Sequence, residues 1–189
     1  MTVLIVGVSS RAAAESAARA GFDVVAIDAF GDLDQHPSVR GLSLPRDFGA
    51  PFTPRALVRA VSTVAAGAVV YLSTLENHPR TVTALSRGRE LWGNASAVLG
   101  RVRDPFLLAQ VLRTRGFAVP AISGSDPMTR VDSWGLTPPR WVMKPLASGG
   151  GQRVRPWPVG ARLPRGYYGQ RFISGTPGSV VFVSARGRA

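Results

Sequence analysis

The sequence predicts an α/β domain built on a parallel sheet, followed by a smaller strand-rich α+β region. Three observations carry this expectation. Val3–Val8 and Val24–Ile27 are apolar runs separated by an alanine-rich stretch, the pattern of a β-α-β unit. A third apolar run, Ala68–Leu72, follows another helical stretch. Beyond a Ser/Asp/Thr/Pro-rich segment over 121–140, only short strand-like runs remain, broken by glycine and proline.

Each element has a local reason. Val3–Val8 is apolar without alternation, as expected of a strand buried on both faces. Ser9 or Ser10 is placed to cap a helix over Arg11 to Ala20, and Gly21 stops it. Val24–Ile27 ends at Asp28. The segment 30–45 is polar and rich in turn residues, with a brief strand expected near Gly41–Leu44. A helix from Pro54 to Ala65 leads into the strand Ala68–Leu72. The loop Ser73–Pro79 then lies at the carboxyl end of that strand, where open α/β sheets bind ligands. Helices are expected over Pro79–Arg87 and Asp104–Arg115, with Leu91–Asn94 between them as a short strand or a loop. Asp104 followed by Pro105 is an N-cap with proline at the first helical position. Gly116 and Pro120 mark that helix's exit. After the 121–140 linker come strands at Trp141–Met143, near Val154, at Gly169–Ile173 and at Ser179–Ser184. The domain boundary is placed near 118–124, giving units of 1–120 and 121–189. Ala185-Arg186-Gly187-Arg188 reads as the turn of a hairpin whose second strand is missing, so the chain is expected to be truncated.

Composition narrows the function classes. Hydrophobic residues make up 45% of the 189 positions and charged residues 18%, enough apolar material for a sizeable core. No apolar run approaches the ~18 residues of a membrane helix, and no basic stretch precedes Val3–Val8 as in a signal peptide. A cytoplasmic protein without membrane partners is the expectation. The absence of cysteine excludes disulfides and thiolate metal sites. The formal net charge is +12. Its arginines are scattered rather than clustered, so a basic nucleic-acid binder is the weaker reading and anionic small ligands the stronger. No carboxylate side chain lies after Asp132.

Candidate sites were weighed against structural explanations. The turn Gly7–Arg11 has one glycine of the three that a dinucleotide fingerprint needs, so Asp28 reads as a capping residue rather than a ribose ligand. His36 and His78 precede prolines and lack metal-ligand spacing, as solvated loop histidines would. Glu76 and Asn77 suit either a substrate contact or a helix cap. Arg103, beside the Asp104 cap, suits a phosphate contact. The strongest signal is Trp141–Gly151. Its Lys144 is the only lysine in the chain, and it ends a short apolar run that leads through Pro145 to Ser148, Gly149, Gly150 and Gly151. Glycines let a backbone approach a ligand closely and aim N–H groups at oxygens, and a lysine bridges phosphates as a compact charge. The alternative is a hairpin whose turn is rich in glycine. The spacing is not that of a Walker A loop.

The order of these parts resembles an ATP-grasp ligase of the carboxylate–amine ligase or carbamoyl-phosphate-synthase-like kind. The resemblance runs through Leu91–Asn94, Arg101–Asp104, a helix ending in Gly116–Pro120, the lysine strand Trp141–Pro145, the loop Ser148–Gly151, and Gln170–Ser179. It implies a Rossmann-like pre-ATP-grasp domain with a parallel sheet, followed by a partial ATP-grasp α+β subdomain. It implies ATP as the cofactor, with Lys144 on the phosphates and Ser148, Gly149, Gly150 and Gly151 as a flap over them. Gln170, Arg171, Phe172 and Ile173 would line adenine, with main-chain groups of Arg171 and Ile173 reading its edge. Partners implied are ATP and a small carboxylate and amine, with either a homodimer or a complementing chain.

Three positions depart from the family's pattern. Arg171 stands where a glutamate is usual, Pro105 where a second lysine is usual, and Thr176-Pro177-Gly178 where an acidic ribose ligand is usual. The family's magnesium ligands lie on a downstream subdomain, so Mg2+ is expected only in the complete enzyme. The fragment is expected to be inactive alone. A non-catalytic nucleotide- or anion-binding module is the alternative.

Overall fold

The computed structural model describes residues 1–125 and 140–180. The first part is a parallel sheet of β1 (Thr2–Val6), β2 (Asp23–Asp28), β3 (Val39–Ser43), β4 (Ala68–Tyr71) and β5 (Glu90–Leu91), in the order β3-β2-β1-β4-β5. Its helices are α1 (Arg11–Arg19), α2 (Leu44–Phe48), α3 (Pro54–Val61), α4 (Pro79–Leu85), α5 (Ser96–Val102) and α6 (Pro105–Thr114).

Alternation along β1 explains why its run is continuously apolar. Val3 and Ile5 face one side, where Val24, Ala26 and the alanines of α1 pack. Leu4 and Val6 face the other, against Leu57, Val82, Leu85 and Leu99 from the helices there. A strand covered on both faces has no solvent side to mark with polar residues.

The strand order reverses between β1 and β4, which opens a crevice at their carboxyl ends. Val8 N–H donates to the Ser73 carbonyl across it at 3.1 Å. Asp28, 2% exposed, lies next to this edge. It accepts from Ser10 N–H (3.1 Å), Ser10 Oγ (2.7 Å), Phe30 N–H (2.9 Å) and Gly31 N–H (2.8 Å). Its oxygens are therefore spent on the protein, in keeping with a capping role. Ser10 stands at the N-cap of α1, yet its side chain bonds Asp28 rather than the helix.

The second sheet is antiparallel, in the order β6 (Ile122–Ser123), β9 (Tyr167–Arg171), β7 (Trp141–Pro145), β8 (Arg155–Pro156). Three expectations need correction. The last described strand runs Tyr167–Arg171 rather than Gly169–Ile173. Its partner β7 begins at Trp141, which pairs with Arg171, so Phe172 and Ile173 pass beyond the ladder. The segment read as linker from 121 contains β6, because Ile122 and Ser123 pair with Gln170 and Gly169. Helices α2 and α5 were not expected. Pro45 looks like a turn residue but sits in the first turn of α2 behind the Ser43 cap. In α5, Gly100 weakens the helical signal, and the buried Leu99 anchors the segment. The strand expected over Ser179–Ser184 lies largely outside the described residues.

Candidate functional site

Lys144 lies near the end of β7, and its side chain is half-buried. Residues 142 and 144 share one face of the strand, and residues 168 and 170 of β9 share the same face. This brings Lys144 Nζ to 3.1 Å from Gln170 Oε1 and 5.8 Å from the centroid of the Tyr168 ring. Pro145 ends the strand and the glycine loop follows. The loop turns through Gly150 (φ 59°) and Gly151 (φ 72°), and Gln152 N–H donates to the Gly149 carbonyl at 3.1 Å. Left-handed backbone of this kind excludes most side chains, which is the local reason for the glycine run.

The other wall comes from the segment around the start of α6. Asp104 caps α6 through Phe106 N–H (2.9 Å) and Leu107 N–H (3.1 Å), with Pro105 behind it. This cap fixes the preceding residue, Arg103. Its Nη2 donates to Asn77 Oδ1, in the 3-10 turn Leu75–Asn77, and to the main-chain carbonyl of Ser148. Arg103 Nε is buried without a hydrogen-bond partner among the described residues.

These elements enclose a cleft of about 660 Å³. Arg103, Lys144, Ser148, Gly149, Gly150, Gly151, Gln170, Phe172 and Ile173 all line it, and among the described residues no carboxylate does. A smaller pocket of about 220 Å³ continues from it beneath α6, walled by Leu108, Ala109, Leu112, Pro120 and Ile122. The cleft combines the cations Arg103 and Lys144 with apolar side chains, and Lys144 and Gln170 also reach the mainly apolar smaller pocket, a lining that suits a ligand with an anionic tail and a flat apolar body.

Three of the candidate residues do not line the cleft. The Arg171 side chain is exposed, and its N–H is given to the Ala121 carbonyl at 2.8 Å. A ligand could take that N–H only by breaking the sheet. Asn77 stands behind Arg103 as its acceptor. Glu76 reaches the glycine loop at its rim, with Oε1 3.7 Å from where a Cβ on Gly149 would stand. The Tyr71 phenol is pushed above its usual range by its burial and by the charge of Glu76. His36 and His78 are exposed.

Tyr168 and Leu108 belong to the cleft and carried no motif, and Pro120, read from sequence as a helix exit, lines it too. Nothing in the local sequence marks the first two, and Leu108 remains 41% exposed on α6.

No protein-family model matches the chain, and no curated protein matches it in sequence. Solved structures do match it in fold. An L-amino acid ligase from Bacillus licheniformis superposes with a TM-score of 0.58 at 18% identity, over 92% of this chain and 44% of that one. An N5-carboxyaminoimidazole synthetase from Staphylococcus aureus, complexed with ADP, gives 0.59 at 14% identity, over 91% and 47%. A biotin carboxylase–βγ-ATP complex from Campylobacter jejuni gives 0.59 at 14% identity, over 90% and 45%. The chain thus spans under half the length of these three structures. It has the fold of a part of such ligase and carboxylase chains, the α/β fold that the resemblance to ATP-grasp ligases implies.

Proposed function

We propose that the cleft binds ATP, with adenine in the apolar pocket beneath α6 and phosphates between Lys144, Arg103 and the glycine loop. The chain is then the nucleotide-binding portion of a ligase that activates a carboxylate for attack by an amine. One observation carries the reading. Both cations and the glycine loop line a single cleft that, among the described residues, no carboxylate lines, and it continues into a mainly apolar pocket. The neighbours that are ligases or are complexed with ADP or an ATP analogue support it.

In this reading residues 121–189 form the nucleotide-binding unit, and residues 1–120 present the loop with Glu76 and Asn77 to the carboxylate substrate. A carboxylate oxygen attacks the γ-phosphorus, and the bond to the β,γ-bridging oxygen breaks. The acyl phosphate so formed loses phosphate when the amine attacks its carbonyl carbon. Lys144 and Arg103 offset phosphate charge, and the glycine loop supplies N–H groups.

Magnesium accompanies such phosphoryl transfer by neutralising the developing charge. Among the described residues no group of three or more His, Asp or Glu side chains could hold a metal ion. Among the described residues, Glu76 is a carboxylate that reaches the glycine loop. This donor set does not fit a complete magnesium site. That favours a second reading: a nucleotide- or anion-binding module whose metal ligands come from a complementing chain or from residues beyond those described.

Calorimetric titration of the full chain distinguishes the outcomes. ADP is expected to bind without metal, and GDP about tenfold more weakly because its additional exocyclic polar groups would lie unpaired against the apolar walls of the pocket. Equal affinity for ADP and GDP, or no binding of ADP, overturns the nucleotide reading. Robust ATP turnover by the chain alone with magnesium overturns the view that its metal site is incomplete.

A further inference from the structure

We propose that Arg103 is a ligand-responsive tie. With the cleft empty it holds the glycine loop to Asn77, and when a polyphosphate enters it turns to the phosphate oxygens and releases the Asn77 loop. This rests on the reading of the cleft as a phosphate site. It adds a coupling between that site and the loop after β4.

The first observation is the choice of acceptors. Arg103 Nη2 donates to an amide oxygen, Asn77 Oδ1, and to a main-chain carbonyl, that of Ser148. Both are neutral. The ion pairs among the described residues use Arg11, Arg19 and Arg46, and none involves Arg103. A guanidinium makes its strongest bonds to carboxylates and phosphates, often two at once, and these are about twice as strong as bonds to neutral acceptors. The resting contacts of Arg103 are therefore ones that an incoming phosphate outcompetes.

The second observation is an unmet donor. Arg103 Nε is buried and has no hydrogen-bond partner among the described residues. A buried donor without an acceptor costs more than the bond it lacks, so a ligand oxygen that satisfies it gains affinity. Arg103 and Lys144 line the same cleft, so an anion entering it meets both cations.

The third observation is what Arg103 connects. Ser148 begins the glycine loop, and Asn77 follows Glu76 at the carboxyl end of β4. These segments lie on different sheets, and one side chain bonds both. Withdrawing it from both loosens the loop after β4 at the moment the nucleotide arrives. Pro105 leaves no second lysine at the start of α6 to take this place, and Arg103 is the cation that the Asp104 cap positions there.

The test titrates the full chain with ADP, adenosine and inorganic tripolyphosphate, using wild type, Arg103→Met, Arg103→Lys, Asn77→Ala and Asn77→Asp. Melting temperatures verify that each variant is folded. Arg103→Met should weaken ADP and tripolyphosphate about ten- to hundredfold and leave adenosine unchanged. Arg103→Lys should recover part of the loss. Asn77→Ala removes a competitor for the guanidinium and should tighten ADP. Asn77→Asp gives the guanidinium a charged partner and should weaken it. A structural role for Asn77 would move both variants in the same direction, which overturns the tie. Equal losses for adenosine and ADP in Arg103→Met, or none for either, overturn Arg103 as a phosphate cation. If wild type binds tripolyphosphate but not ADP, the adenine reading falls while the tie is judged on tripolyphosphate alone. If wild type binds neither, both fall.

Discussion

Lys144 Nζ and Gln170 Oε1 meet at 3.1 Å from diagonal positions of the β7–β9 pair. The lysine is thereby aimed along the strand face into the cleft, held by a neutral acceptor rather than a carboxylate. Its charge remains available for a ligand, and the amide restricts where it points.

That relationship gives the first prediction. Lys144→Met should weaken ADP and tripolyphosphate about ten- to hundredfold while adenosine changes little, because a charge-assisted bond to phosphate is lost and the ring contacts are not. Gln170→Ala should have the same sign and a smaller size, since it frees the lysine without removing it. Thermal melts should stay close to wild type, because Met keeps the apolar contact with Tyr168. Calorimetry with the three ligands reads the difference.

Two glycines should fail in different ways. An alanine Cβ at Gly169 would stand 2.1 Å from Trp157 Cζ3. Trp157 is 7% exposed, packs edge-on against Trp141, and donates its Nε1–H to the Ala161 carbonyl at 2.7 Å. It has no room to yield, so Gly169→Ala should destabilise the fold by about 3 kcal/mol in denaturant titration. At Gly151 an added Cβ meets nothing within 4 Å, but φ is 72°. Gly151→Ala should cost about 1 kcal/mol through backbone strain, and its main effect should be weaker phosphate binding.

A pH-dependent effect is expected at α2. The Arg46 guanidinium first, and the Ser43 N–H second, hold the Asp47 carboxyl below its usual 3.8. A depressed folded value means that the contribution is present above the unfolded value and lost as pH falls through the folded one. Asp47→Asn should therefore lower the melting temperature at neutral pH, and the gap to wild type should close as pH drops below the ordinary carboxylate range. The effect should be small because the pair is largely exposed. A gap that is unchanged from pH 7 to pH 2 would contradict the assignment.

How far the fold was legible varies by element. The strands β1, β2 and β4 could be placed because each is covered on both faces and reads as an uninterrupted apolar run. The cap of α6 was legible because Asp104-Pro105 is a purely local signal. Helix α5 was not, since its weak propensity is overridden by the burial of Leu99 in a core that other segments build. The end of β9 was misplaced because Phe172 and Ile173 look like strand residues, while the length of a strand is set by its partner. Lys144 and the loop Ser148–Gly151 stood out as a contiguous stretch. Tyr168 and Leu108 did not, because nothing local marks a side chain that serves a cleft.

The sequence by itself determined the class of fold, the buried strands, and the lysine and glycines, all of which rest on local pattern and backbone preference. Only the tertiary structure decided which of them work together. Arg103 bonds Asn77 and Ser148, partners 26 and 45 residues away along the chain. Contacts at that separation depend on how two sheets pack, and packing is a property of the whole chain rather than of any stretch within it.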